Sequence, residues 1–97
     1  MKGLVTLQNI KPFNTYYKVY KLPEGSFIQE WQVVSKPFSY IDDPKSYWIE
    51  VRFCSQLDGK FYTTAESLQD AGIQPNNYSD HLTFDNRKDA EKYLNFK

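Results

Sequence analysis

Two side chains in this sequence have the chemistry of a nucleophile and its base. Cys54 is the single cysteine and His81 the single histidine among 97 residues. A thiolate dyad needs the two within hydrogen-bond reach, and a helix N-terminus, an elbow or a nearby cation to activate the thiol. Cys54 instead lies inside the run Tyr47–Leu57, whose alternation predicts a regular strand, so it reads as an inert thiol. A zinc site made of nitrogen and sulfur takes about four ligands, and Cys54 and His81 are the only two candidates. Adjacent Asp42 and Asp43, with no acids at alternating positions and no glycine at the bend, do not make a calcium loop. Placed before Pro44, they read as a turn. With four glycines in all, neither a dinucleotide fingerprint nor a P-loop occurs, so nucleotide phosphate has no cradle. Separated carboxylate pairs exist in any protein this rich in acids and give no signal for glycoside hydrolysis. The chemistry points to a protein that is not an enzyme and takes neither cofactor nor metal.

Aromatic side chains are the abundant resource: eight Tyr, seven Phe and two Trp. Two stretches hold them in patterns that suit recognition. In Thr15-Tyr16-Tyr17-Lys18-Val19-Tyr20-Lys21 the residues Tyr16, Lys18 and Tyr20 share one face of a strand, as a stacking platform for single-stranded nucleic acid would require. The competing role for these rings is to close the core with their hydroxyls at its rim. Arginine, the favoured partner of phosphate and base, occurs only at positions 52 and 87. The second stretch runs from Ser35 to Ser46, between two strand-like segments and with Pro37 and Pro44 near its ends, and it predicts a loop. It carries Phe38, Tyr40 and Ile41, which are poorly placed on a surface loop unless they fold onto the core or meet a partner. With an outward Trp48 beside them and Asp42 and Asp43 at their rim, they have the composition of a protein-binding hot spot. A non-enzymatic protein that binds a protein partner is the leading expectation, and a single-strand binder using Tyr16, Lys18 and Tyr20 is the alternative.

Charge does not choose between these readings, because twelve basic residues balance twelve acidic ones. The balance is uneven along the chain: residues 1–36 carry five Lys against two Glu, and residues 37–97 seven bases against ten acids. Between Phe61 and Asn86 the only charged residues are Glu66, Asp70, Asp80 and Asp85, which would form an acidic face. A lone cysteine needs no oxidising compartment, and the first nine residues lack the apolar run of a signal peptide or membrane span. A cytoplasmic protein with no membrane contact is expected. Plentiful Lys, Asn, Tyr, Phe and Ile with only three Ala suit an AT-rich genome, as many phages have, and so suit a phage-type inhibitor or accessory factor.

The length allows one domain, residues 1–97, with one modest core. Period-two alternation predicts strands at Thr15–Leu22, Phe27–Ser35 and Tyr47–Leu57, with Pro23-Glu24-Gly25-Ser26 reversing the first pair. Asp58-Gly59 predicts a two-residue turn that sets Leu57 opposite Lys60 and returns Lys60–Thr63 antiparallel. Val5-Thr6-Leu7 suits a short N-terminal strand ended by Pro12. Thr63 with Glu66 has the spacing of a capping box, and Gly72-Ile73 that of a helix stop, so a two-turn helix is predicted between them. A polar loop at Gln74–Asn77, a strand at His81–Phe84 and a last helix capped by Asp85, with Ala90, Tyr93 and Leu94 on its apolar face, complete the chain. The class is α+β: a mostly antiparallel sheet of four to six strands with two short helices packed on it. If Cys54 is inert, Cys54→Ser should leave both melting temperature and activity unchanged; lost activity in a variant that stays folded would establish thiol chemistry.

Overall fold

The computed structural model describes residues 2–55, 57–73 and 81–95. Among them are six strands and one helix: β1 (Thr15–Leu22), β2 (Gly25–Val33), β3 (Phe38–Tyr40), β4 (Asp43–Cys54), β5 (Phe61–Ser67), β6 (His81–Phe84) and α1 (Arg87–Leu94). All pairings are antiparallel. The path runs β3-β4-β2-β1-β6, and β5 lies on the other side of β4. This is the expected antiparallel sheet, with one short helix rather than two.

Alternation along the strands divides the residues between two cores. Tyr16, Trp31, Val33, Ile49 and Val51 point into the concave side of a curled sheet, where Val5, Ile10, Leu68, Ala71 and Ile73 pack on them. The opposite parity on β1 and β6 places Val19, Leu82 and Phe84 on the convex side, and α1 covers them with Ala90, Tyr93 and Leu94. The predicted apolar face of the last helix is the face it buries. Its cap is one residue later than expected: Asn86, in extended conformation, accepts a 2.8 Å bond from the Asp89 amide, while Asp85 spends its own amide on the Gly3 carbonyl.

The second predicted helix does not form. Thr63 to Ser67 continue β5, whose seven residues all have partners on β4, from Cys54↔Phe61 to Trp48↔Ser67. An isolated two-turn helix is marginal in water, whereas a strand beside β4 satisfies its backbone at once. The stop signal nevertheless operates. Ser67 caps a single turn by accepting from the Asp70 amide at 3.2 Å, and the Ala71 amide closes on the Ser67 carbonyl. Ile73 donates to Leu68 and Gly72 to Gln69, the paired bonds of a Schellman motif. Gly72 has φ +72°, and a Cβ there would stand 2.9 Å from the His81 carbonyl and from Leu82 Cα. Glycine is therefore required both by dihedral and by space.

Other turns also differ from their expected form. Leu22 faces Gly25, so Pro23-Glu24 alone reverse β1 into β2, and β2 ends at Val33. The β4–β5 connection is wider than a two-residue turn: Ser55 donates to the Lys60 carbonyl and Gly59 donates back to Ser55. Asp58 and Gly59 sit within that loop, and Leu57 is not paired with Lys60. The N-terminal segment forms isolated bridges in place of a strand, at Leu4, which pairs with Phe84, and at Thr6. The predicted Gln74–Asn77 loop lies outside the described residues.

The curl is held shut at β6. One edge of β6 pairs with β1; on the other, Thr83 donates to the Gly72 carbonyl at 2.9 Å and accepts from the Val5 amide at 2.9 Å. The Thr83 hydroxyl adds a buried bond to the Ala71 carbonyl. Across the interior, the Lys18 ammonium donates to the Asp70 carbonyl and stands 3.7 Å from the Glu66 carboxylate. A cation 4 % exposed needs such partners, because an unpaired buried charge costs several kcal/mol. Burial pushes the Glu66 carboxyl above its ordinary range; Lys18 pulls it down and Asp70 adds a smaller upward push. A carboxyl raised in the folded state contributes stability that is complete below its unfolded value and lost as pH rises through its folded value. Relative to Glu66→Gln, the native protein should thus be most stable at acid pH and lose that advantage above the normal glutamate range. Urea unfolding of both proteins at pH 4 and pH 7 reads the difference, and a native advantage that grows with pH would refute it.

Candidate functional site

The segment read from sequence as a loop is a two-stranded arm. Tyr40 pairs with Asp43, so Ile41 and Asp42 form the turn at its tip, and Phe38 pairs with Trp48. Between those two pairs β3 advances two residues and β4 five, leaving extra residues in β4 around Pro44, which has no amide to give a ladder. Strand pairing supplies the backbone partners that a loop over the sheet edge would have lacked. Three alternating residues, Phe38-Ser39-Tyr40, are too few for periodicity to separate strand from loop.

Trp48 lies one position from buried Ile49, so its ring takes the convex side, away from the main core. Phe38, opposite it, and Tyr40, two residues on, share that side. The rings contact edge to face: Phe38 to Tyr40 at 5.5 Å and Tyr40 to Trp48 at 5.5 Å between centroids. Tyr40 remains 45 % exposed and Ile41 is wholly exposed, while Phe38 and Trp48 are half-buried beneath them. Asp42 and Asp43 are exposed beside the tip. The Trp48 indole N–H is buried with no hydrogen-bond partner among the described residues, as is that of Trp31 in the core. The arrangement is an aromatic ridge on a short hairpin, stiffened by its own ring contacts and capped by a wholly exposed isoleucine.

The alternative platform has a different fate. Tyr16 is 3 % and Lys18 4 % exposed; Tyr16 turns its hydroxyl to the Lys11 amide at 2.9 Å, and Lys18 is held by Asp70 and Glu66. Only Tyr20 reaches the rim, stacked on Phe27 at 4.7 Å. The parity that aligned these three residues is correct, but their face is the inside of the curl, where bases cannot stack on Tyr16.

Cys54 and His81 are separated by the same geometry. Cys54 pairs with Phe61 on the convex side, whereas His81 pairs with Tyr20 on the concave side. The exposed thiol approaches the Gly59 carbonyl at 3.5 Å. It lines a groove of about 430 Å³ with Glu30, Gln32, Arg52 and Phe61, in which the Arg52 guanidinium lies 4.4 Å from the centre of the Phe61 ring. Among the described residues no group of three or more His, Cys, Asp or Glu is placed to hold a metal, and no helix is long and apolar enough to cross a membrane. Of the acidic face, Glu66 is occupied with Lys18, Asp70 and Asp85 are exposed, and Asp80 lies outside the described residues.

Sequence reasoning did not single out Phe13, Leu57, Phe61 and Tyr62, which are 72 %, 99 %, 60 % and 45 % exposed. Alternation says which residues share a side but not which strand is an edge, so Phe61 and Tyr62 carried no signal. Phe13 has φ +69°, a conformation bulky residues rarely adopt. It is held there by its amide on the Val33 carbonyl and by the Gln32 side chain on its own carbonyl.

No curated protein and no solved structure matches this chain. A family model described as phage g100-like protein does match, over residues 4–96. That span takes in every strand, the arm and the helix, and the chain belongs to the phage g100-like protein family.

Proposed function

We propose that this phage-type protein works without catalysis, in the host cytoplasm, by gripping a protein partner with its β3–β4 arm as an inhibitor or accessory factor. The observation that carries this reading is the fully exposed Ile41 beside the Tyr40 ring, itself braced against Phe38 and Trp48. Rigid aromatic rings lose little entropy on binding, and an aliphatic tip with charged neighbours resembles a hot spot inside a polar rim. The two sides on which Cys54 and His81 sit support the absence of a thiolate dyad, and burial of Tyr16 and Lys18 weighs against nucleic acid.

Affinity capture with the intact protein would identify the partner. Tyr40→Ala and Ile41→Asp should then each weaken the complex by about 2 kcal/mol or more, with the melting temperature nearly unchanged, because neither side chain belongs to a buried core. A melting temperature that falls while affinity survives would show that the ridge serves stability only. Labelled single-stranded DNA or RNA titrated at low salt should show no binding in the micromolar range; binding that weakens steeply with added salt would restore the nucleic-acid reading.

A further inference from the structure

The outer edge of β5 is chemically unusual for a strand at the margin of a sheet. Natural edges are shielded by charge, proline, bulges or a covering element, yet Phe61-Tyr62-Thr63-Thr64-Ala65 contains no charge, Pro or Gly. Its first four residues are exposed. The bonds at both ends fix which backbone groups face outward. Ser55 donates to the Lys60 carbonyl and Leu68 to the Tyr47 carbonyl, and both bonds continue the β4–β5 register, so these are hydrogen-bonded positions of that ladder. Alternation then turns Tyr62, Thr64 and Glu66 toward β4 and leaves the N–H and C=O of Phe61, Thr63 and Ala65 pointing away from the sheet. Among the described residues no strand pairs with them.

We infer that this edge is a self-association site and that its partner is a second copy of the same strand, antiparallel about a two-fold axis at Thr63. A two-fold interface sets each residue against its mirror in the strand, and around Thr63 the strand is its own complement. Phe61 meets Ala65 and Tyr62 meets Thr64, large against small on each face. The axis itself brings together two neutral threonines. The outward groups of Phe61, Thr63 and Ala65 coincide with those of Ala65, Thr63 and Phe61 in the second copy, so all of them find partners. The Asp58 carboxylate holds the Tyr62 hydroxyl and the Lys60 amide, which fixes the approach to the edge before the copies meet. This surface is separate from the arm, so either can fail without the other.

Sedimentation equilibrium of the full chain across the micromolar range and above should show a reversible monomer–dimer equilibrium with no larger species. Thr63→Lys places two like charges on the axis without touching the β4 ladder and should weaken dimerisation at least tenfold, with circular dichroism and melting confirming an intact monomer. In a Cys54→Ser background, Thr63→Cys should form a disulfide-linked dimer under mild oxidation, because residues paired across the axis lie within disulfide reach. Thr63→Cys tests the register even if Thr63→Lys should unfold. A protein that stays monomeric throughout, a dimer indifferent to Thr63→Lys, an open series of oligomers, or failure of Thr63→Cys to cross-link would each overturn the inference.

Discussion

The structure depends on how a curled antiparallel sheet closes around its last strand. β6 has four residues, yet both of its edges are used: β1 takes one, and Gly72 with Val5 takes the other through the two backbone groups of Thr83. A short strand at the end of the sheet path, bonded on both edges, draws distant parts of the chain together. The residues before β1 and the turn after β5 meet along its one free edge, opposite β1. Gly72 makes the approach possible by having no Cβ where the His81 carbonyl passes.

Closure creates an interior that must accept polar groups, and Lys18 meets that demand. Its stem crosses the concave side and its ammonium ends on the Asp70 carbonyl and Glu66, tying β1 to the turn that also receives β6. Removing one partner of such a pair would leave a buried charge uncompensated, so the contact serves less as a source of stability than as a constraint on how the curl closes. The same closure divides the aromatic residues. Tyr16 and Trp31 fill the concave core, while Phe38, Tyr40 and Trp48 are carried out along β4 beyond the reach of either core.

β4 is the element that couples core and surface. From Trp48 onward it pairs with β5, and from Val51 with β2 as well, burying Ile49 and Val51; ahead of Trp48 its strand partner is β3. One strand thus anchors the arm rigidly in the core and presents the arm's tip to solvent. The bulge near Pro44 falls where the ladder with β3 changes register, which allows the arm to diverge from the curvature of the sheet.

Strand parity was legible in the sequence because side chains alternate strictly along a strand: Ile49 with Val51, Tyr16 with Lys18 and Tyr20, and the Ala90, Tyr93 and Leu94 stripe all share the faces their spacing implies. Local stop chemistry was legible too, since Gly72-Ile73 closes a turn by bonds within six residues. What parity cannot express is which side of a sheet is inside, and only the curl decided that Tyr16 and Lys18 are interior while Trp48 is not. Thr63 to Ser67 satisfied the spacing of a helix cap, but β4 offered a partner for every residue, and nonlocal hydrogen bonds prevailed over local propensity. The arm and the open β5 edge are likewise properties of topology. A short segment such as Phe38-Ser39-Tyr40 becomes a strand only when another strand lies beside it, and β5 becomes an edge only because no described strand does.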